Sequence, residues 1–159
     1  MLFTTITQEL QRELKSNLAQ IRFLLKKNPA LGYTKMNEIS RVVGQKFGLK
    51  LILNFPKQGK IEESEYYGKR DLSIIVDLQK KNFPIDRSII KSKAQEVFVN
   101  AEAVDAYMYE DKEGVRVLFE GGRIDVLPHS LHIWCEFEDD VTKFCDWLLE
   151  NVYQLKPSN

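Results

Sequence analysis

Apolar and polar positions alternate most cleanly between Val115 and Phe137. Val115, Val117 and Phe119 fall on one side of an extended chain, Arg116, Leu118 and Glu120 on the other. Gly121-Gly122 interrupts, and Ile124 and Val126 resume the alternation against Arg123 and Asp125. The pattern predicts a β-hairpin turning on Gly121-Gly122, because both central positions of a primed two-residue turn need φ > 0. That turn sets Glu120 opposite Arg123, Phe119 opposite Ile124 and Val117 opposite Val126, with the apolar residues on one face. Leu131, Ile133, Cys135 and Phe137 repeat the alternation as a third strand.

Elsewhere the period changes to 3.6. Leu10, Leu14, Leu18, Ile21 and Leu24/Leu25 make one stripe of a helix over 5–27, with Thr5 and Gln8 spaced as a capping box. Asn28-Pro29 and Gly32 end it. A second helix over 35–47 has Thr34 as N-cap, Gly48 as stop, and Met36, Ile39, Val43 and Phe47 inward. Leu49–Phe55 and Leu72–Leu78 read as strands joined by a long polar connection, with an acidic cluster (Glu62, Glu63, Glu65) and two tyrosines (Tyr66, Tyr67). Asp86 or Ser88 caps a middle helix running to about Glu102, although EVFV also suits a short strand. Val104–Tyr109 is a strand leading into EDKEG. Asp139 or Asp140 caps a last helix, with Val141, Phe144, Leu148, Val152 and Leu155 buried. Consecutive strands late in the chain favour antiparallel pairing, so the class is α+β: a mainly antiparallel sheet with helices packed on it. A βαβ unit across 72–109 is the alternative.

Composition adds limits. A chain of 159 residues suits one domain over 1–159. Its apolar runs are too short for a membrane span, and the first residues lack the pattern of a secretory signal. Two cysteines, Cys135 and Cys145, do not make a disulfide framework, so a reduced, cytoplasmic protein is expected.

Formal charge is zero overall but uneven along the chain. Residues 1–60 hold 11 Lys/Arg against 3 Asp/Glu, a net of +8, and the remainder carries −8. Residues 101–150 alone carry 4 against 13, a net of −9. Such asymmetry points to a charged partner, unless the two parts neutralise each other in space.

Catalytic and cofactor signatures are weak. His129, His132 and Cys135 are spaced for metal on a helix, but here they read as turn and strand, with 132 pointing away from 129 and 135. Glu110-Asp111-Lys112, Glu136-Phe137-Glu138, Asp71 and Asp77 are the carboxylates that a metal-dependent nuclease would need, though nothing in the sequence ties them together. No nucleophile motif and no Gly-rich phosphate loop occurs. No catalytic residue, metal ligand or cofactor is therefore assigned. Trp134, on the strand face opposite Leu131 and Ile133, is either covered by a helix or marks a binding surface.

Two readings follow. The first is a protein-binding module of the immunity type, whose acidic face (Asp111, Glu113, Glu120, Asp125, Glu136, Glu138, Asp139 and Asp140, with Trp134 and Tyr109 as aromatic anchors) masks a basic nucleic-acid-cleaving toxin. The second is a nucleic-acid-binding or nuclease-like protein that uses Lys15, Arg22, Lys26, Lys27, Lys35, Arg41, Lys46 and Lys50 on phosphates. A helix-turn-helix is disfavoured by the long first helix and its Pro- and Gly-containing turn. Either a monomer or a homodimer fits.

Overall fold

The computed structural model describes residues 2–54, 73–78, 82–107, 113–135 and 138–155. Chain order is α1 (Leu2–Ser16), α2 (Leu18–Lys27), α3 (Pro29–Lys46), β1 (Lys50–Asn54), β2 (Ser73–Asp77), α4 (Arg87–Val97), β3 (Glu102–Tyr107), β4 (Glu113–Phe119), β5 (Gly122–Val126), β6 (Ser130–Trp134) and α5 (Asp139–Asn151). The strands form one antiparallel sheet in the order β1-β2-β6-β5-β4-β3. The fold is α+β, and three strands (β6, β5 and β4) separate β2 from β3, so no βαβ pairing forms between them. The 55–72 connection, Tyr109 and the EDK of EDKEG fall outside the described residues.

The sheet has one apolar face. Ladder partners line up Leu53, Ile74, Ile133, Ile124, Val117 and Ala103 in one row across all six strands. Leu51, Val76, Leu131, Val126 and Val115 make a second row beside it. These side chains are buried in one cluster with Phe3, Ile6, Leu10 and Leu14 of α1, Met36, Ile39 and Val43 of α3, Ile90 and Ala94 of α4, and Val141, Phe144 and Leu148 of α5. The helices therefore all contribute to the core on the same side. Truncating a fully buried side chain such as Phe144 there would cost about 3–5 kcal/mol.

Several boundaries differ from expectation, each for a local reason. The first long helix divides at Asn17, whose side-chain Nδ2 donates to the Glu13 carbonyl at 2.8 Å and competes with the backbone ladder. Pro29 does not end helical structure but opens α3, where its missing N–H is an orphan in any case. Gly48, at φ +69°, ends α3 as expected. Asp86 caps α4, accepting from the N–H groups of Ser88 (3.0 Å) and Ile89 (3.3 Å). That helix stops at Val97, and Phe98 is already extended. The N-cap of α5 is Glu138, which makes no side-chain cap bond, so Asp139 and Asp140 occupy the first turn, where a negative charge suits the helix dipole.

The central hairpin turns one residue early. Phe119 pairs with Gly122, Leu118 with Arg123, Val117 with Ile124 and Val115 with Val126, so Glu120-Gly121 form the loop and only Gly121 takes positive φ (+107°). The shift equals two residues on one strand, which leaves every side chain on its expected face. Gly122 belongs in the strand because a Cβ there would lie 2.3 Å from both the Cys135 Cβ and the Trp134 carbonyl oxygen.

The first turn of α1 is also met from the far end of the chain. Asp146 of α5, 142 residues away, accepts from the Thr4 backbone N–H at 3.0 Å and from the Thr4 hydroxyl. A carboxylate from another helix thus satisfies an orphan N-terminal donor. Asp146→Ala is expected to lower stability by about 1–2 kcal/mol in urea unfolding, the size of a lost helix cap, with the denaturant slope unchanged. An unaltered midpoint would show that this cap contributes nothing.

Candidate functional site

Three elements meet at one end of the sandwich: the tail of α4, the tip of the β4–β5 hairpin and the start of α5. They enclose a cleft of about 210 Å³ lined by Val97, Phe98, Val99, Phe119, Glu120, Glu138, Asp140 and Val141. The floor is built by ring packing. Phe98 stacks on Phe119 with centroids 4.1 Å apart, and meets Phe144 edge-on at 5.4 Å. Val99 stands at the rim, 80% exposed. Glu120, Glu138 and Asp140 are exposed above this apolar floor, with Asp139 exposed beside them on α5. Apolar contact flanked by carboxylates suits the aliphatic stem and charged head of a lysine or arginine.

Four of the acidic residues expected on a binding face, Glu120, Glu138, Asp139 and Asp140, are thus gathered at the cleft end. Asp125 is not with them. It is buried on the second sheet face, where its carboxylate takes two hydrogen bonds from Arg116 (Nε 2.9 Å, Nη2 3.1 Å), so its charge is answered internally. Trp134 also lies on that second face, and none of the described helices covers it. The Arg123 guanidinium sits 4.3 Å from its ring centroid. Asp111 and Glu136, like Tyr109, lie outside the described residues, and so does the side chain of Glu113.

That second sheet face carries residues the charge count did not single out. Its central row reads Ile52, Ile75, His132, Asp125, Arg116 and Val104. His132, on the strand face away from Cys135 as its position predicts, is buried, and its Nε2 lies 2.9 Å from the Ser130 hydroxyl. Burial holds the imidazole below its ordinary pKa of 6.5, against the pull of Asp125 and Asp77 and with a smaller push from Arg123. The Asp125 carboxylate opposite His132 is engaged by Arg116, so Ser130 and His132 form a hydrogen-bonded strip without a carboxylate dedicated to the ring. Strand parity was the signal that could have placed Arg116, Arg123, Asp125, His132 and Trp134 together.

Among the described residues no group of three or more His, Cys, Asp or Glu is placed to hold a metal ion. Cys135 and Cys145 are buried and not joined as a disulfide, and burial pushes the Cys145 thiol well up, away from reactivity. The cationic residues of the opening helices are spread. Lys15, Arg22, Lys26, Lys27 and Arg41 are exposed, while Lys35 is half-buried in a shallow groove with Glu13, Asn17, Glu38, Ile39 and Val42. Lys46 and Arg12 both reach Glu9 at 2.5 Å, and the Lys46 contact leads in holding that carboxyl below its usual range. Lys50 lies 3.9 Å from Asp77 across the β1–β2 ladder.

No family model, curated protein or solved structure matches the chain. No helix among the described residues is long and apolar enough to cross a membrane.

Two measurements check the second face. Arg116→Ala leaves a buried carboxylate unpaired and should destabilise by about 2–3 kcal/mol, more than Arg116→Ala/Asp125→Ala together; a double loss equal to the sum of the two single losses would mean that the pair is not coupled. With a folded pKa below 6.5, His132 binds fewer protons folded than unfolded. Its contribution to stability is therefore complete above that value and is lost as pH falls through it toward the folded pKa. His132→Gln should flatten that part of the stability–pH curve, and an unchanged slope would assign the acid sensitivity elsewhere.

Proposed function

We propose that this chain is a protein-binding module that docks a basic partner on the acid-rimmed cleft, in the manner of an immunity-type inhibitor covering the cationic site of a nucleic-acid-cleaving toxin. The observation that supports this reading is the placement of Glu120, Glu138 and Asp140 around an apolar floor of Phe98, Phe119 and Val141. Interfaces that bind tightly combine a desolvated apolar centre with a charged rim, and the rim sets on-rate and specificity. Val99 supplies an exposed apolar contact at the lip. The basic helices α1 to α3 support a nucleic-acid reading less well, because their cations are interleaved with Glu9, Glu13 and Glu38. A cytoplasmic site of action is part of the same proposal.

The test is affinity capture with the full chain, followed by a salt series from roughly 50 to 500 mM, a range that collapses the Debye length. A basic protein should be retained at low salt and released as salt rises, and its nuclease activity should fall in step with added chain. Glu120→Lys/Glu138→Lys/Asp140→Lys should abolish capture at a stability cost of about 1–2 kcal/mol, because Glu138 and Asp140 lie at the start of α5 where the dipole favours negative charge, and circular dichroism checks that the fold survives. Capture that ignores both salt and these reversals would overturn the reading. A gel shift with DNA or RNA that is lost on Lys15→Glu/Lys26→Glu/Lys27→Glu would support the nucleic-acid alternative instead.

A further inference from the structure

We propose that the acid-rimmed cleft is a pocket for one side chain, an arginine that the basic partner presents. This inference rests on the docking reading above and names what that partner puts into the cleft.

Charge points to a cation from outside the chain. Several carboxylates of the fold are answered from within it: Glu9 by Lys46 and Arg12, Asp77 by Lys50, Asp105 by Arg87 and Asp125 by Arg116. Among the described residues Glu120, Glu138 and Asp140 make no such pair, and no described Lys or Arg lines the cleft. Glu138, although it is the N-cap of α5, makes no side-chain bond to the first turn, so its carboxylate is not committed to the helix. Two elements, the β4–β5 tip and the start of α5, thus hold uncompensated negative charge around one apolar floor.

Size selects a side chain over a free molecule. Small-molecule pockets run to about 300–1,000 Å³, and this cleft holds about 210 Å³. That space suits one long side chain, its methylenes on the floor and its charge at the rim. The lip favours the same occupant. Val99 is 80% exposed, beside a turn in which Asn100 takes positive φ (+57°). A stem entering past Val99 covers apolar surface that the fold leaves in water.

A guanidinium fits this setting better than an ammonium. It is more weakly hydrated, so it loses less on entering beside Phe98 and the half-buried Phe119, and it packs on aromatic rings. Its planar fork carries five donors, enough to serve carboxylates from both elements at once. The compact, strongly hydrated charge of a lysine is better left at the outer rim.

A backbone-amide NMR titration of the isotope-labelled full chain at low salt tests this. The probes are acetyl-Gly-Gly-Arg-Gly-Gly-amide and its lysine and citrulline counterparts. With the arginine peptide, the amides of Val99, Glu120 and Val141 should shift and saturate at a Kd of roughly 1–10 mM, the scale of one side chain. The lysine peptide should bind about fivefold more weakly, and the neutral citrulline peptide should not saturate. Glu120→Gln/Glu138→Gln should weaken the arginine peptide about tenfold, the size of two exposed ion pairs. Phe119→Leu should bring arginine down toward lysine, with circular dichroism as the check on folding. Equal binding of arginine and lysine, binding of citrulline, or arginine shifts that avoid the cleft or ignore the Glu→Gln pair would each overturn the pocket. If the arginine peptide fails while salt-sensitive capture of a basic protein persists, the pocket falls and the docking reading stands. Arginine binding in the cleft with no basic protein captured supports the pocket and removes the docking reading.

Discussion

Everything in this molecule follows from the one-sidedness of its sheet. Two apolar rows run unbroken across the ladder on one face, one through all six strands and one through five. Burying them is the largest favourable term available to the chain, and it can be met only by stacking amphipathic helices on that side. The topology serves the same end. After β2 the chain crosses under the sheet through α4 to the far edge, and the β3–β4–β5–β6 meander returns to close the gap. The tail of α4 is thereby delivered beside the β4–β5 tip and the start of α5. The cleft is a by-product of where these ends must lie for Phe98, Phe119 and Phe144 to pack.

Much of this was legible in the sequence, because periodicity records which face is buried. The alternation of Val115, Val117, Phe119, Ile124 and Val126 gave the right faces even though the hairpin loop is Glu120-Gly121. The error was invisible to face patterning, since a shift of two residues conserves it. What decided the register was the fit of Gly122 against Cys135 and Trp134, a contact with a strand not yet in view. The break at Asn17 is a similar case. A stripe of leucines continued through it, but a local side-chain bond to the Glu13 carbonyl competed successfully with the ladder.

Tertiary hydrogen bonds were out of reach. Nothing near Thr4 announces that its N–H will be met by Asp146. Nor does the last helix show that the Tyr153 hydroxyl will donate to the carbonyls of Leu127 (2.8 Å) and Ser130 (3.0 Å), tying the end of the chain to the β5–β6 turn. Burial, with a smaller push from Cys145 and against the Leu127 hydrogen bond, keeps that phenol protonated, its pKa pushed far above the usual range. The candidate site was half legible for the same reason. Glu120, Glu138, Asp139 and Asp140 share a sequence neighbourhood with the elements that deliver them. Asp125 belongs to the same acidic stretch, but strand parity sends it to the other face.

The carboxylates therefore sort by what surrounds them, and net charge per segment does not report that sorting. Asp125 and Asp146 are buried and held by specific donors, so their charges serve the fold. Asp139 and Asp140 sit in the first turn of α5, where the helix dipole already favours them. Glu120 has neither justification: it is exposed, at a hairpin loop, beside the aromatic floor of the cleft. A residue with no structural reason for its charge is the more informative one about partners. On that argument, the weight of a cationic-partner reading rests on Glu120 and the rim around it more than on the −9 balance of the whole stretch.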